Sequence, residues 1–156
     1  MNELEEFKKE LEETLEKVNE KLEEDEENEE TYYTIDYDGK ILRDTDCGIY
    51  VDILKKEIGN YFRTKKEASG HLEDLKIKAE IKKIAKELNG DKKIDWGDGT
   101  QPKYFLIYNY DYSELRDDYQ YTLKSKDTIY CLNENFADEC IKRIGKERLE
   151  NYLKRN

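Results

Sequence analysis

The amino-acid sequence predicts an α+β protein: two repeated β-β-β-α units that form an antiparallel sheet with helices on one face, preceded by an acidic N-terminal helix. Three observations support this fold class. Apolar residues near the N-terminus recur at helical spacing, turn and capping signals separate short β-rich runs from helical ones, and two stretches of the chain read alike. The predicted domains are an acidic helical or coiled-coil arm and hinge over residues 1–30 and a duplicated domain over 31–156, with units at about 31–90 and 103–156.

The net charge is concentrated in the predicted arm. The chain has 39 Asp and Glu residues against 28 Lys and Arg residues, a formal charge of −11. Residues 1–30 contain 15 of the acids and 4 of the lysines, which leaves 24 charges of each sign in the rest of the chain. The sequence therefore predicts a neutral body that carries an acidic arm.

Composition also bears on the compartment. Mean hydropathy is −1.11, and no apolar run approaches the roughly 20 residues that a bilayer span needs. The N-terminus has no apolar segment of the kind found in secretory signals. Cys47, Cys131 and Cys140 show no CxxC spacing, which favours a reducing compartment with the thiols as small buried hydrophobes. We expect a cytoplasmic protein with no membrane contact.

The arm carries an apolar stripe. Its members are spaced by 3, 4, 4, 3 and 4 residues and repeat after 11: Leu4, Phe7, Leu11, Leu15, Val18 and Leu22. This repeat is close to the natural period of the α-helix, so paired helices would supercoil little or slightly right-handedly. An isolated helix of this length is marginal in water, so the stripe needs a partner. The alternatives are a homodimer through residues 1–22, packing on the protein's own body, and binding of a foreign protein.

The arm ends in an acidic segment. Residues 23–30 contain seven acids and no apolar side chain, and such runs are typical of solvated, flexible linkers. A second interpretation is that this segment imitates a phosphate backbone or meets a basic groove.

The two body units match at two spacings. At an offset of 72 residues the aligned pairs are Tyr32 with Tyr104, Tyr33 with Phe105 and Ile35 with Ile107. At an offset of 69 residues they are Tyr61 with Tyr130, Thr64 with Asn133 and Ala68 with Ala137. Each unit then reads as a hairpin, a third short strand and a helix.

Turn and capping residues place the ends of the elements. Asp38 and Gly39 predict a hairpin turn. Thr64, with Glu67 three residues later, predicts a capping box at the start of a long helix. Asn133 is a candidate cap for the second helix, and the Asn-Gly pair at 89–90 predicts the end of the first.

The candidate partner-binding site is a set of tyrosines in the second unit. Because alternate residues of a strand face opposite sides, the alignment predicts Phe105 and Ile107 on the helix-covered face and the tyrosines on the other face. The members are Tyr104, Tyr108, Tyr110, Tyr112, Tyr119 and Tyr121. Tyrosine is enriched at interfaces because it presents a rigid, amphipathic area. The alternative is an ordinary exposed sheet in which tyrosines serve as strand formers.

The sequence carries no catalytic or metal-binding signature, and we expect no enzyme activity, cofactor or metal. His71, the single histidine, has no neighbouring ligand set. The long helix is mildly basic, through Lys76, Lys78, Lys82, Lys83 and Lys86. Together with the tyrosines these lysines give an alternative function, nucleic-acid or nucleotide binding, which the neutral body and the acidic arm disfavour.

Several segments carry a family resemblance: GNYFRTKKEA, KIAKELNGDKKIDW, QPKYFLIYNYD and TIYCLNENFADECIKRIGKERLENYL. With the acidic start, they resemble a family of small accessory proteins encoded by phages and prophages of low-GC Gram-positive bacteria. The resemblance covers most of the chain and implies a role inside the host bacterial cell. We therefore expect a non-enzymatic protein that binds and modulates or inhibits a host protein. The expected target is a nucleic-acid-handling complex or a defence complex, in the manner of an anti-CRISPR protein.

Overall fold

The protein is an α+β protein. The computed structural model describes residues 3–25 and 31–155, and in the first helix it describes the side chains of residue 5 and residues 7–18. In chain order the elements are α1 (Glu3–Asp25), β1 (Thr31–Ile35), β2 (Ile41–Thr45), α2 (Tyr50–Glu57), α3 (Lys65–Asn89), β3 (Lys103–Asn109), β4 (Glu114–Gln120), α4 (Phe136–Ile144) and α5 (Lys146–Arg155). The chain divides into two compact units, Met1–Leu72 and Glu73–Asn156, and the division falls within α3.

The strands form two antiparallel pairs rather than the single expected sheet. β1 pairs with β2 in the first unit, and β3 pairs with β4 in the second. Where a third strand was expected, each unit has a single bridge, Tyr33 with Phe62 and Tyr104 with Cys131. Each bridge has two backbone hydrogen bonds of 2.8–2.9 Å. In the first unit the chain has no room for a longer strand, because α3 begins three residues after Phe62.

The local turn and capping signals correctly predicted the hairpin turn after β1 and both ends of α3. Gly39 has a φ of +79°, and its N–H donates to the Asp36 carbonyl at 2.9 Å in the hairpin turn. At the start of α3 the Glu67 N–H donates to Thr64 Oγ1 at 3.1 Å. In return Glu67 Oε2 accepts the Thr64 N–H at 3.3 Å, which completes the capping box. The helix ends at Asn89, and Gly90 adopts a φ of +54°.

The second unit's helix begins later than its predicted cap. Asn133 Oδ1 accepts the N–H of Asn135 at 2.9 Å, so this side chain stabilises the turn before α4. The core of the second unit combines α3, α4 and α5 with the hairpin: Ile77, Ile81, Ile84, Ala85, Leu115, Cys131, Phe136, Cys140, Ile144, Leu149 and Tyr152. Cys131 and Cys140 are buried as expected, but Cys47 is exposed, so that expectation was wrong for one thiol.

Candidate functional site

Helix α1 presents its apolar stripe to solvent. The described members are between 47% and 64% exposed: Phe7, Leu11, Leu15 and Val18. Leu4 and Leu22 belong to the same predicted stripe, but their side chains lie outside the described residues. Part of the stripe borders an open surface depression of about 380 Å³, lined by Phe7, Lys8, Leu11, Glu12 and Leu15. This is a surface that an apolar partner can cover.

Charge surrounds this stripe. Over its 23 residues α1 contains 11 Asp and Glu residues and 4 Lys residues, a net charge of −7. Lys8 forms an ion pair with Glu12 at 3.8 Å. Two such helices side by side would bring like charges together, whereas a basic surface would be attracted to them.

The faces predicted for β3 were wrong. Tyr104 and Leu106 pack against the core of the second unit. Lys154 of α5 places its Nζ 4.4 Å from the ring centroid of Tyr108. Because Tyr104, Leu106 and Tyr108 alternate along β3, their face is the one that the helices cover. Phe105 lies on the opposite face, where its ring packs edge-on against Tyr130 with centroids 5.6 Å apart.

The error has a simple geometric cause. The sequence alignment used a spacing of 72 residues between the two hairpins, whereas the bridging residues Tyr33 and Tyr104 differ by 71. A shift of one residue moves every side chain of a strand to the other face.

The other four tyrosines are exposed. Tyr110 and Tyr112 lie in the turn between β3 and β4, where the Asn109 side chain accepts backbone N–H groups from Asp111 and Tyr112. Tyr119 and Tyr121 are next to each other near the end of β4, with ring centroids 5.8 Å apart. A partner-binding role for all six predicted tyrosines stays a prediction.

Helix α2, which the sequence did not lead us to expect, has its polar side turned inward. Asp52 is 2% exposed. Its Oδ1 accepts the Tyr32 hydroxyl at 2.8 Å, and its Oδ2 accepts the N–H groups of Cys47 at 3.0 Å and Ile49 at 3.2 Å. The buried carboxylate therefore connects β1, the loop before α2 and the first turn of α2.

Lys55 extends this network. Its Nζ donates to the Tyr32 hydroxyl at 3.0 Å and to Asp44 Oδ2 at 3.1 Å. Burial raises the pKa of Tyr32; the Lys55 hydrogen bond opposes that rise and the one to Asp52 adds to it. The bond from Lys55 lowers the pKa of the Asp44 carboxyl. These groups satisfy one another, which is the behaviour of a structural ion network.

A parallel set of contacts surrounds Tyr61, whose ring lies against that of Tyr32. The Tyr61 hydroxyl donates to Asp46 Oδ2 at 2.8 Å, and Lys56 Nζ lies 2.5 Å from the same oxygen. The bond from Lys56, with those from Tyr61 and the Gly48 N–H, lowers the pKa of Asp46 to about 2. We call the side of α2 that carries Asp52, Lys55 and Lys56 its inner face.

The opposite side of α2 is apolar and faces solvent. We call the exposed set the outer face of α2; its members are between 47% and 73% exposed: Ile49, Tyr50, Val51, Ile53 and Ile58. The 3- and 4-residue spacing of Asp52, Lys55 and Lys56 is a readable helical pattern. The sequence does not reveal that this polar side is the covered one.

Two other polar residues that could act in a site, Lys103 and His71, contact other residues of the protein. Lys103 is fully buried, and its Nζ donates to the carbonyls of Asp98 at 3.0 Å and Tyr121 at 2.6 Å. His71 is exposed, with its ring 5.1 Å from that of Phe62. In the described part of the chain, no group of three or more His, Cys, Asp or Glu side chains is arranged to hold a metal ion.

Helix α3 exposes a basic surface. Six of its lysines are exposed: Lys65, Lys66, Lys76, Lys82, Lys83 and Lys86. Lys78 is half-buried. The stacking platform expected beside these lysines is reduced, because Tyr104 and Tyr108 lie on the helix-covered face of β3.

Within residues 3–25 and 31–155 no helix combines the length and the apolar composition that crossing a bilayer requires.

Comparison with known proteins identifies no relative of this chain. No protein-family model matches the chain. Searches of curated proteins and of solved structures likewise found no significant match.

Proposed function

We propose that this protein acts by binding another protein, and that helix α1 is the segment that enters the partner. The resemblance to phage and prophage accessory proteins implies that the partner belongs to the host cell. The function is then a non-enzymatic one, in which binding modulates or inhibits the host protein. The recognition mode is an amphipathic helix in a groove.

The exposed stripe of α1 carries this proposal. Phe7, Leu11 and Leu15 are each more than half exposed, although most helical stability in proteins comes from packing of an amphipathic face. Full burial of one such side chain from full exposure contributes about 1.5–3 kcal/mol, and a little more than half of that area is still exposed here. Several together are comparable with the roughly 4–15 kcal/mol that association costs in lost freedom of motion.

The charge of α1 defines the partner further. A helix with a net charge of −7 fits an apolar groove that is bordered by Lys and Arg. Host proteins that handle nucleic acid have such basic grooves because they contact phosphates. A nucleic-acid-handling or defence complex is therefore the expected class of target.

A pull-down from nuclease-treated host lysate tests this function. The bait is the full chain, compared with Leu11→Ser/Leu15→Ser, which removes half of the described stripe without a change of charge. The matched control is Lys9→Ser/Glu13→Ser, on the opposite side of the helix and also neutral in charge. We expect one host protein to be captured by the native chain and the control, and lost with the stripe variant. Equal capture by all three would refute α1 as the binding element.

Nucleic-acid binding is the second candidate function, and the exposed lysines of α3 favour it. It predicts that labelled single-stranded RNA or DNA binds at low salt and dissociates steeply as salt rises. Replacing Lys82 and Lys83 with Ser should then weaken binding. No binding at low salt would exclude this function.

We also propose that the two units derive from one ancestral hairpin–bridge–helix unit. In both, the first strand of a hairpin pairs at one residue with a segment that precedes a helix: Tyr33 with Phe62, and Tyr104 with Cys131. Tyr61 and Tyr130, one residue before each bridge, both contact an aromatic ring, those of Tyr32 and Phe105 respectively.

A further inference from the structure

The outer face of α2 is a second apolar surface, distinct from that of α1. Tyr50 and Ile58 are 72% and 73% exposed. An ordinary amphipathic helix turns its apolar side to the core, whereas the inner face of α2 is bonded to β1, β2 and the loop after β2 through Asp52, Lys55 and Lys56. Packing of α2 on its own unit therefore leaves the outer face uncovered, and monomeric proteins rarely expose contiguous apolar patches larger than about a few hundred Å².

We propose that the outer face of α2 is the interface with a second copy of this chain, related by a two-fold axis. This goes beyond the proposed function, because it concerns a different helix and does not depend on what α1 binds. A two-fold interface places one patch against the same patch of the partner. Apolar side chains such as Ile53 and Ile58 suit that arrangement, since they are complementary to themselves.

The net charges of α1 and α2 favour different binding partners for the two helices. Helix α2 contains two acids and two lysines, a net charge of zero, whereas α1 has a net charge of −7. Self-pairing through α1 brings like charges together, and self-pairing through α2 does not. A basic-rimmed partner is thus matched to α1 and a second copy to α2.

The remaining charged residue of α2 also fits an antiparallel pair. Glu57 is the last residue of this eight-residue helix and is exposed. A two-fold axis perpendicular to the helix runs the partner's α2 in the opposite direction. Because the helix is only about 12 Å long, each Glu57 then lies near the N-terminal turn of the partner's α2, where the helix dipole favours a negative charge.

Sedimentation equilibrium of the full chain, from micromolar to sub-millimolar concentration, tests the interface. The variant is Ile53→Ser/Ile58→Ser, and the control is Leu123→Ser, an equally exposed leucine outside α2. We expect the native chain and the control to form dimers. The variant should dissociate at least about a hundredfold more readily, because the symmetry removes four isoleucines from one interface.

Two further measurements keep the outcome clear. Far-UV circular dichroism checks that the variant is folded, and Tyr50→Ser replaces it if it is not. The Leu11→Ser/Leu15→Ser variant of α1 should keep the dimer. A native chain that stays monomeric throughout, a dimer indifferent to the α2 substitutions, or a dimer lost through the α1 substitutions would each overturn the proposal.

Discussion

The ring of Tyr32 stacks face to face on the ring of Tyr61, with centroids 4.2 Å apart and an interplanar angle of 15°. The stack joins β1 to the residue before the bridge at Phe62. The two hydroxyls then diverge, that of Tyr32 to Asp52 and that of Tyr61 to Asp46. One aromatic pair thus positions both halves of the network under α2.

Replacing Asp52 with Ala should be the most damaging single change to this network. It removes a carboxylate that accepts three hydrogen bonds, and it leaves the Tyr32 hydroxyl and two N–H groups without that acceptor. We expect the free energy of unfolding to fall by about 3 kcal/mol, measured by urea denaturation. Asp91→Ala, at an exposed position, is the control and should change stability little. A loss equal to that of the control would contradict a structural role for Asp52.

The two stacked tyrosines should differ in their response to loss of the hydroxyl. Tyr32→Phe keeps the stack but leaves the buried Asp52 short of a donor, so we expect a loss of about 1–3 kcal/mol. Tyr61→Phe should cost less, because Asp46 keeps its bonds to Lys56 and the Gly48 N–H. Urea denaturation of both variants checks the order, and the reverse order would count against this description of the network.

The capping box of α3 should contribute measurably to the free energy of unfolding. Thr64→Ala removes the acceptor of the Glu67 N–H, and we expect it to lower the free energy of unfolding by about 1 kcal/mol. Ser69→Ala, within the same helix, is the control and should not destabilise. Thr64→Ser restores the acceptor and should recover most of the loss; failure to recover would point to packing instead of capping.

Stability should decline in acid partly through Asp46 and Asp44. Their carboxyl pKa values are lower in the folded protein than the ordinary value of 3.8, with that of Asp46 at about 2. A depressed folded-state pKa contributes stability above the unfolded pKa, and that contribution is lost as pH falls through the folded value. We expect the free energy of unfolding to drop between about pH 4 and pH 2, and Asp46→Asn to flatten that slope. Denaturation at several pH values measures it, and an unchanged slope in Asp46→Asn would refute the assignment.

The exposed tyrosines can be separated from stability. Tyr110→Ser/Tyr112→Ser alters the turn between β3 and β4, where both rings face solvent. We expect the midpoint of urea denaturation to stay nearly unchanged, since surface substitutions usually act within about 0.5 kcal/mol. If these rings bind the partner, capture of the host protein should fall in the pull-down; unchanged capture would remove them from the site.

Local signals in the sequence were sufficient for local structure. The turn at Gly39, the capping box at Thr64 and the helix end at Asn89 each depend on residues within one or two turns of each other. The orientation of β3 depends on a long-range pairing, Tyr104 with Cys131. The alignment of the two hairpins missed that register by one residue, which reversed the predicted faces.

The sequence did not show which side of α2 packs against the protein, and the reason differs from that for β3. The usual rule places the apolar side of a helix against the protein, but here the strand beneath it supplies the Tyr32 hydroxyl, which is fully buried and needs partners. Asp52 and Lys55 provide them. The buried Tyr32 hydroxyl of β1 thus explains why α2 packs through its polar side. This depends on the contact between β1 and α2, which their local sequences do not show.

The placement of the three cysteines makes the native chain selective towards thiol reagents. Cys131 and Cys140 are buried, and burial raises the pKa of Cys140 to about 12, so it has almost no reactive thiolate near neutral pH. Cys47 is exposed and lies three residues before α2. A spin label or fluorophore would therefore attach at one position without engineered cysteines. The Cys47 N–H donates to the Asp52 carboxylate of α2. A probe on Cys47 would therefore report the approach of a binding partner to α2.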